Sequence, residues 1–368
     1  MLQSVQRLKN LLVFSKVLPY LKLNEGNRVD LTIEVEEKWT TIPYANLRGG
    51  GNTLYGYAGI YDINTFGKLI ETGIQYDNWD GKGGGLTWFR NPRFLDKHML
   101  IGTDIWYTTR PRTLYNTDGE IQGSYMLHRK KINLVLEREF NEWLNIGFNI
   151  SVNQEEIKES ESNNLIKPQT KKQIENDKRS KIISTQAYFQ LGKLNYNNYI
   201  VYGKQSSLYL KYAGAETQSN ENIKRILFQN SFFWRLPYQA NAGLRVNAGA
   251  IETESIQHYF YIGGFENIRG YFDGQFRSKA YWQINAEYRI PSFVHEWLVL
   301  QHVFFIDAAN AADRLSPLTD WENNVYSAGT GFRLISPRIY GFNGRMDIAL
   351  FSSKKTKSYV SFGAQQFF

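Results

Sequence analysis

Residues 280–290 read Ala-Tyr-Trp-Gln-Ile-Asn-Ala-Glu-Tyr-Arg-Ile, with apolar and polar side chains in alternation. Apolar residues occupy every second position from Ala280 to Ile290, and the positions between them carry Tyr, Gln, Asn, Glu and Arg. Successive side chains of a β-strand point to opposite faces, so this strand would have one apolar and one polar, charged face. That pattern is typical of a strand that lies between lipid and a water-filled barrel lumen.

The same two-residue period recurs along most of the chain, most clearly in residues 144–153, 241–250 and 345–350. In each segment the inward set is polar or small, which the dry core of a soluble barrel would not tolerate. The sequence therefore predicts an all-β fold, a 16-stranded antiparallel transmembrane β-barrel. Its strands should start near residues 39, 54, 67, 84, 98, 122, 143, 181, 205, 223, 240, 280, 297, 326, 344 and 357.

The predicted connections alternate between short turns and a second set that includes long loops. The short ones are Asp62–Phe66, Asn91–Asp96, Glu139–Glu142, Leu236–Ala240 and Pro291–Glu296. The long ones are Arg110–Ile121, Ile157–Ser180, Ser255–Lys279 and Ala311–Val325. Bacterial outer-membrane barrels have short periplasmic turns and long external loops, and an even strand number places both ends of the barrel on the periplasmic side.

Composition restricts the alternatives. The 368 residues have a mean hydropathy of −0.45 and no run of about 18 apolar residues, which excludes a helical membrane protein. The 24 Tyr, 23 Phe and 9 Trp fit two aromatic girdles at the membrane interfaces, and the competing interpretation is a soluble β-sandwich or propeller. Cysteine is absent, so neither a disulfide nor a thiolate metal site can form.

The charge pattern does not predict a nucleic-acid partner. The net charge is +8, but much of the Lys and Arg lies in residues 157–181 among Glu, Asn and Ser, without interleaved aromatic residues. We find no nucleophile elbow, P-loop or paired-histidine zinc motif, and the five His residues lack ligand spacing. No catalytic residue, metal or cofactor is predicted, although an enzyme built on a barrel wall stays an alternative.

The first 38 residues differ from the rest and are assigned to a separate segment, 1–38, ahead of a barrel at 39–368. Val5, Leu8, Leu11 and Leu12 predict one face of a short helix, and residues 29–35 alternate as a strand. We expect the remnant of a periplasmic POTRA-like α/β module. Residues 1–16 lack the apolar core and cleavage site of a signal peptide, so we expect a processed or shortened chain.

One loop carries a motif, Ile268-Arg269-Gly270-Tyr271, and four further features follow it in order. They are Glu287 before a turn at Pro291, the run Phe305-Ile306-Asp307, the strand Gly329-Thr330-Gly331-Phe332-Arg333 before Ser336-Pro337, and a C-terminal Phe368. Together they resemble the BamA-like superfamily of outer-membrane assembly and two-partner-secretion translocases, the bacterial surface antigen type of barrel. Ala309 stands where that family usually has Gly, and Gln366 departs from its terminal aromatic pattern.

The resemblance implies that the motif loop folds back into the lumen and that Arg269 meets acidic residues of the wall. Strand alternation places Glu287 and Asp307 on the lumen face, so we expect both carboxylates to hold the guanidinium. Gly270 would permit the backbone bend that such a fold-back needs.

The barrel seam is a second candidate site. The first strand contains Pro43, which lacks a ladder donor, and is followed by Gly49 and Gly50; its partner would be the last strand, which ends at Phe368. We expect few backbone hydrogen bonds there. The two interpretations are a lateral gate, to which a client strand could add, and a frayed closure without a role; the resemblance favours the gate.

The resemblance implies an outer-membrane translocase or insertase that assembles or exports β-rich clients by lateral gating, without covalent catalysis. The alternatives are a two-partner-secretion pore and a passive outer-membrane channel. The expected partners are the lipid bilayer, unfolded barrel or secreted client proteins, and periplasmic chaperones or accessory lipoproteins. The number of α/β modules ahead of the barrel would discriminate between these functions.

Overall fold

The computed structural model describes residues 14–24, 28–37, 39–96, 98–159, 179–197, 199–337, 343–353 and 360–364. Two strands, β1 (Phe14–Asn24) and β2 (Arg28–Glu37), form an antiparallel hairpin ahead of the barrel. The predicted strand at residues 29–35 is part of β2, but the predicted helix lies outside the described residues. The POTRA-like remnant therefore stays a prediction.

Sixteen further strands form one closed antiparallel barrel, as the alternation predicts. They are β3 (Thr41–Gly50), β4 (Thr53–Thr65), β5 (Ile70–Trp79), β6 (Lys82–Asn91), β7 (Met99–Tyr115), β8 (Ile121–Asn141), β9 (Leu144–Glu159), β10 (Arg179–Asn197), β11 (Ile200–Ala213), β12 (Ile223–Arg235), β13 (Asn241–Glu252), β16 (Ala280–Val294), β17 (Val299–Ala312), β18 (Val325–Ile335), β19 (Asn343–Ser352) and β20 (Val360–Gly363). The chain between β13 and β16, which we name the motif loop (residues 253–279), contains a small hairpin of β14 (Phe260–Ile262) and β15 (Phe276–Ser278).

The two faces of the wall follow the predicted alternation. On β16 and β17, the outward side chains of Tyr288 and Ile306 are 44% and 63% exposed, as expected for a lipid-facing surface. The inward residues Gln283, Asn285 and Asp307 have no exposed surface, because the motif loop covers them. No helix in the described part of the chain is long and apolar enough to cross a membrane.

Several predicted connections begin too early, among them the turn predicted from Asp62, because β4 continues to Thr65. The loop predicted from Arg110 begins only after Tyr115, because β7 continues to Tyr115 in pairing with β8, which leaves a turn at residues 116–120. The turn predicted from Pro291 begins after Val294, because β16 continues past a register shift at that proline. Strands of 16 to 21 residues in β7–β10 exceed the roughly 9–11 needed to cross a bilayer, so part of this sheet extends beyond it.

Candidate functional site

The motif loop packs against the inner wall, and its four motif residues are the most enclosed part of it. Ile268 and Tyr271 have no exposed surface and Arg269 is 1% exposed. Ile268 and Tyr271 belong to an apolar cluster with Ala309 of β17 and Val325 of β18. Burial of these apolar groups anchors the loop and brings Arg269 to the wall.

Arg269 is held by both carboxylates that the sequence predicts for it. Its Nε and Nη2 donate to the two oxygens of Asp307 at 2.8 and 2.7 Å, and its Nη1 donates to Glu287 at 2.6 Å. The backbone N–H of Arg269 also donates to Asp307 at 3.1 Å. The guanidinium lies over the ring of Phe305, 3.6 Å from the ring centre. Only a planar fork can make this bidentate contact and bridge to a second carboxylate at once.

Glu287 has two further partners that the sequence analysis missed. Arg289, on the same face of β16, donates to it at 2.7 Å from Nε and Nη2, and Arg333 of β18 donates at 2.7 Å. Arg333 in turn donates to Asp347 of β19 at 2.7 Å. We name the set the arginine–carboxylate cluster; it comprises Arg269, Arg289, Arg333, Arg345, Glu287, Asp307 and Asp347.

The cluster carries four guanidinium groups and three carboxylates, so its formal charge is +1. Removal of Arg269 would therefore leave Glu287 paired with Arg289 and Arg333. Asp307 would lose its partner, because its salt bridge among the described residues is with Arg269. A signal for Asp347 and Arg345 was present in the sequence, because both occupy inward positions of an alternating strand.

Glycines on the wall make room for the cluster. A Cβ at Gly331 would lie 2.4 Å from Oδ1 of Asp347, and one at Gly329 would lie 2.6 Å from the ring of Phe305. Gly270 has φ +84°, and its Cβ would lie 2.8 Å from that of Ala349. The Gly-x-Gly-x-Arg strand thus leaves the space into which an aromatic ring and a carboxylate fit.

The backbone of the motif loop is held by wall residues as well. The carbonyl of Asn267 accepts from Gln283 at 3.1 Å and from Asn285 at 2.8 Å. Arg245 of β13 donates to the carbonyl of Glu266 at 3.0 Å, and Arg345 donates to the carbonyl of Phe265. Buried carbonyl groups need such donors, so these contacts fix the path of the loop.

The motif loop also reaches the opposite side of the lumen. Tyr271 donates to the carbonyl of Tyr326 on β18 at 2.7 Å. Two residues later, Asp273 accepts from Arg110 at 2.9 Å, and Arg110 lies on β7, seven strands further round the closed sheet. The backbone N–H of Asp273 donates to Gly51 beside β3 at 2.8 Å. The loop therefore bridges the lumen.

The predicted seam residues lie only partly together. Gly50 pairs with Ser361 of β20, Gly49 pairs with Phe362, and Arg48 pairs with Gly363. Pro43 pairs with Ile60 of β4, and the described pairs between β3 and β20 involve residues 48–50 of β3, so no described contact places Pro43 at the seam.

Phe368 lies outside the described residues, as do residues 354–359 and 365–367. The expected shortness of the whole seam therefore stays a prediction.

The described part of the seam consists of three residue pairs, followed by an N–H of Ala364 that donates to the carbonyl of Leu47 at 3.2 Å. The described pairs between β19 and β20 number four, and those between β3 and β4 number ten. The side chain of Arg48, a seam residue, donates to Glu266 of the motif loop at 2.8 Å. The motif loop thus contacts the first strand as well as β18 and β19.

The sequence profile of the Omp85 superfamily domain matches residues 46–366. The chain belongs to the Omp85 superfamily. Members of this superfamily are protein translocases and insertases, and the chain is an outer-membrane β-barrel protein of this protein-transport class. Comparison with curated protein sequences finds no match.

Solved structures show the same fold at low sequence identity. BamA from Haemophilus ducreyi lacking POTRA domains 1–3 superposes with a TM-score of 0.73 at 13% identity, over 98% of this chain and 77% of that one. CdiB from Acinetobacter baumannii gives 0.63 at 14% identity, over 97% of this chain and 66% of that one. CdiB from Escherichia coli gives 0.66 at 9% identity, over 98% and 69%.

Proposed function

We propose that this Omp85 barrel inserts or exports β-rich client proteins across the outer membrane by lateral opening between β3 and β20. The observation that carries the proposal is that β3 meets β20 through Gly49 and Gly50, which carry no side chain to pack across this seam. Glycine weakens a strand, so this edge can be exposed at low cost, and an exposed edge templates the addition of another strand.

The motif loop supports a regulated opening. It binds β3 through Arg48 and binds β18 and β19 through the arginine–carboxylate cluster, so it contacts both sides of the seam. Its path across the lumen favours a translocase over the alternative of an open passive channel, because a bridging loop obstructs free diffusion. A two-partner-secretion pore would pass its substrate through the lumen, and that route requires the loop to move.

Cysteine locking tests the lateral opening, since the natural chain has no cysteine. The pair Gly49→Cys and Phe362→Cys joins residues directly opposite each other across the seam. The matched control, Ala45→Cys and Ala58→Cys, joins opposite residues of β3 and β4 inside the wall. The assay is insertion of an unfolded barrel client into proteoliposomes, read as protease protection.

Oxidation of the seam pair should abolish insertion, reduction should restore it, and the control pair should insert clients in both states. Full insertion by the oxidised seam variant would refute lateral opening. Continued export of a soluble substrate by the oxidised seam variant would instead support the lumen route of a two-partner-secretion pore. POTRA-like modules, chaperones and accessory lipoproteins remain expected partners of this activity.

A further inference from the structure

Two cations face each other directly on the lumen side of the wall, on strands that carry no residue of the arginine–carboxylate cluster. Lys211 of β11 pairs in register with Arg225 of β12. The neighbouring residues Leu210 and Ile226 are 41% and 47% exposed on the outer face, so Lys211 and Arg225 point into the lumen. Like charges directly opposite each other on one sheet face destabilise the pairing.

Two more cations belong to the same surface. Arg129 and Lys131 lie two residues apart on β8, and Ile132 beside them is 56% exposed on the outer face. Lys211 lies within electrostatic range of Arg129, Lys131 and Arg225. We name these four residues the basic wall.

The described residues supply too few carboxylates to neutralise the basic wall. Glu155 of β9 forms a salt bridge with Arg129 at 2.7 Å. Lys211 and Arg225 have neither a salt bridge nor a hydrogen bond to a carboxylate in the described part of the chain, and Nε of Arg225 is buried without an acceptor. Asp104 of β7 lies within electrostatic range of Lys131, so four cations and two carboxylates leave an excess of two positive charges.

A neutral polar group completes the surface between these cations. Asn153 of β9 is directly opposite Lys131 and is 4% exposed, yet its Oδ1 has no hydrogen-bond partner. The oxygen and nitrogen of an amide can exchange places by a flip of the side chain, so Asn153 can present a donor to a ligand. A buried polar group without a partner costs free energy that a ligand would recover.

We propose that the basic wall binds a polyvalent phosphoryl group inside the lumen, either as free phosphate or as the headgroup of a lipid. A guanidinium fork and ammonium point charges are the side chains that recognise phosphate oxygens. A dianion would neutralise the excess charge of +2 on this surface. The proposal does not depend on lateral opening, because none of its residues lies at the seam.

The probe is inorganic pyrophosphate, added to the full chain folded in a non-ionic detergent at constant ionic strength. Thermal unfolding is followed for the wild type, Lys211→Gln, Arg225→Gln and the control Lys224→Gln. Lys224 is adjacent to Arg225 but lies on the exposed outer face, where it pairs with Glu252 at 3.3 Å.

Pyrophosphate should raise the Tm of the wild type and of the Lys224→Gln control. In Lys211→Gln and Arg225→Gln the apparent Kd should weaken by about tenfold or more, since charge-assisted contacts are lost. Without pyrophosphate, Lys211→Gln should melt no lower than the wild type, because a repulsive pair is removed. If Arg225→Gln does not fold, Lys211→Gln carries the test alone.

Equal responses of Lys211→Gln and Lys224→Gln would overturn the site. So would a wild type that gains no more from pyrophosphate than from sodium chloride of the same ionic strength. Dihexanoyl phosphatidic acid, tested below its micelle concentration, distinguishes the two sources. Tighter binding of that lipid than of pyrophosphate assigns the site to a headgroup, and the reverse order assigns it to free phosphate.

Discussion

Replacement of Arg269 by Ala tests how much the cluster contributes to the stability of the barrel. The change removes two charge-assisted hydrogen bonds to Asp307 and one to Glu287. Glu287 retains three bonds from Arg289 and Arg333, so the stabilising free energy lost at Glu287 is small. Asp307 has no exposed surface and keeps only the backbone N–H among these donors. Breaking one partner of a buried ion pair costs about 3–5 kcal/mol, and most of that cost should arise at Asp307.

A double-mutant cycle assigns the cost. The second variant, Asp307→Asn, removes the charge that Arg269→Ala leaves unpaired, so the double variant should be more stable than Arg269→Ala alone. Arg269→Lys should fall between the wild type and the alanine variant, since an ammonium keeps the charge but not the fork. Urea unfolding in detergent micelles, followed by tryptophan fluorescence, gives the free energy of unfolding of each variant.

The reasoning would be refuted by additivity. If the two single effects sum to the double effect within about 0.5 kcal/mol, Arg269 and Asp307 do not couple, despite their contact at 2.7–2.8 Å. An alanine variant as stable as the wild type would equally refute it. Client insertion measured on the same variants then separates a loss of fold from a loss of function.

Two further predictions concern the wall and the loops. Gly331→Ala should destabilise the barrel by about 1–3 kcal/mol, because its Cβ would meet Asp347 at 2.4 Å, whereas the control Gly344→Ala, with its nearest neighbour at 3.6 Å, should unfold at an unchanged urea concentration. Burial raises the pKa of Glu221, but the contact with His258 at 3.0 Å and the hydroxyl groups of Ser180 and Ser255 together outweigh burial, so the pKa is lowered. The Glu221 carboxylate should stabilise the barrel fully above its unfolded-state pKa of about 4.3, and this contribution should be lost as the pH falls through its folded-state pKa. Glu221→Gln should therefore show a smaller decrease in Tm between pH 5 and 3 than the wild type.

The sequence by itself determined the barrel, its sixteen strands and which face of each strand meets water. These are local consequences of the two-residue period, because every second side chain must suit lipid and the rest must suit the lumen. The opposition of Arg269 to Glu287 and Asp307 was predicted as well, because the family resemblance implied a motif loop folded into the lumen and the alternation placed both carboxylates on the inward face.

Only the tertiary structure showed which other inward residues meet. Alternation gives the face of a side chain but not its height in the barrel, which depends on the register of every ladder between it and its neighbours. For that reason Arg333 and Asp347 joined the cluster unpredicted, and β7 continued to Tyr115 where a loop was expected. The pairing of Lys211 with Arg225 is likewise a property of the β11–β12 register, which local alternation does not encode.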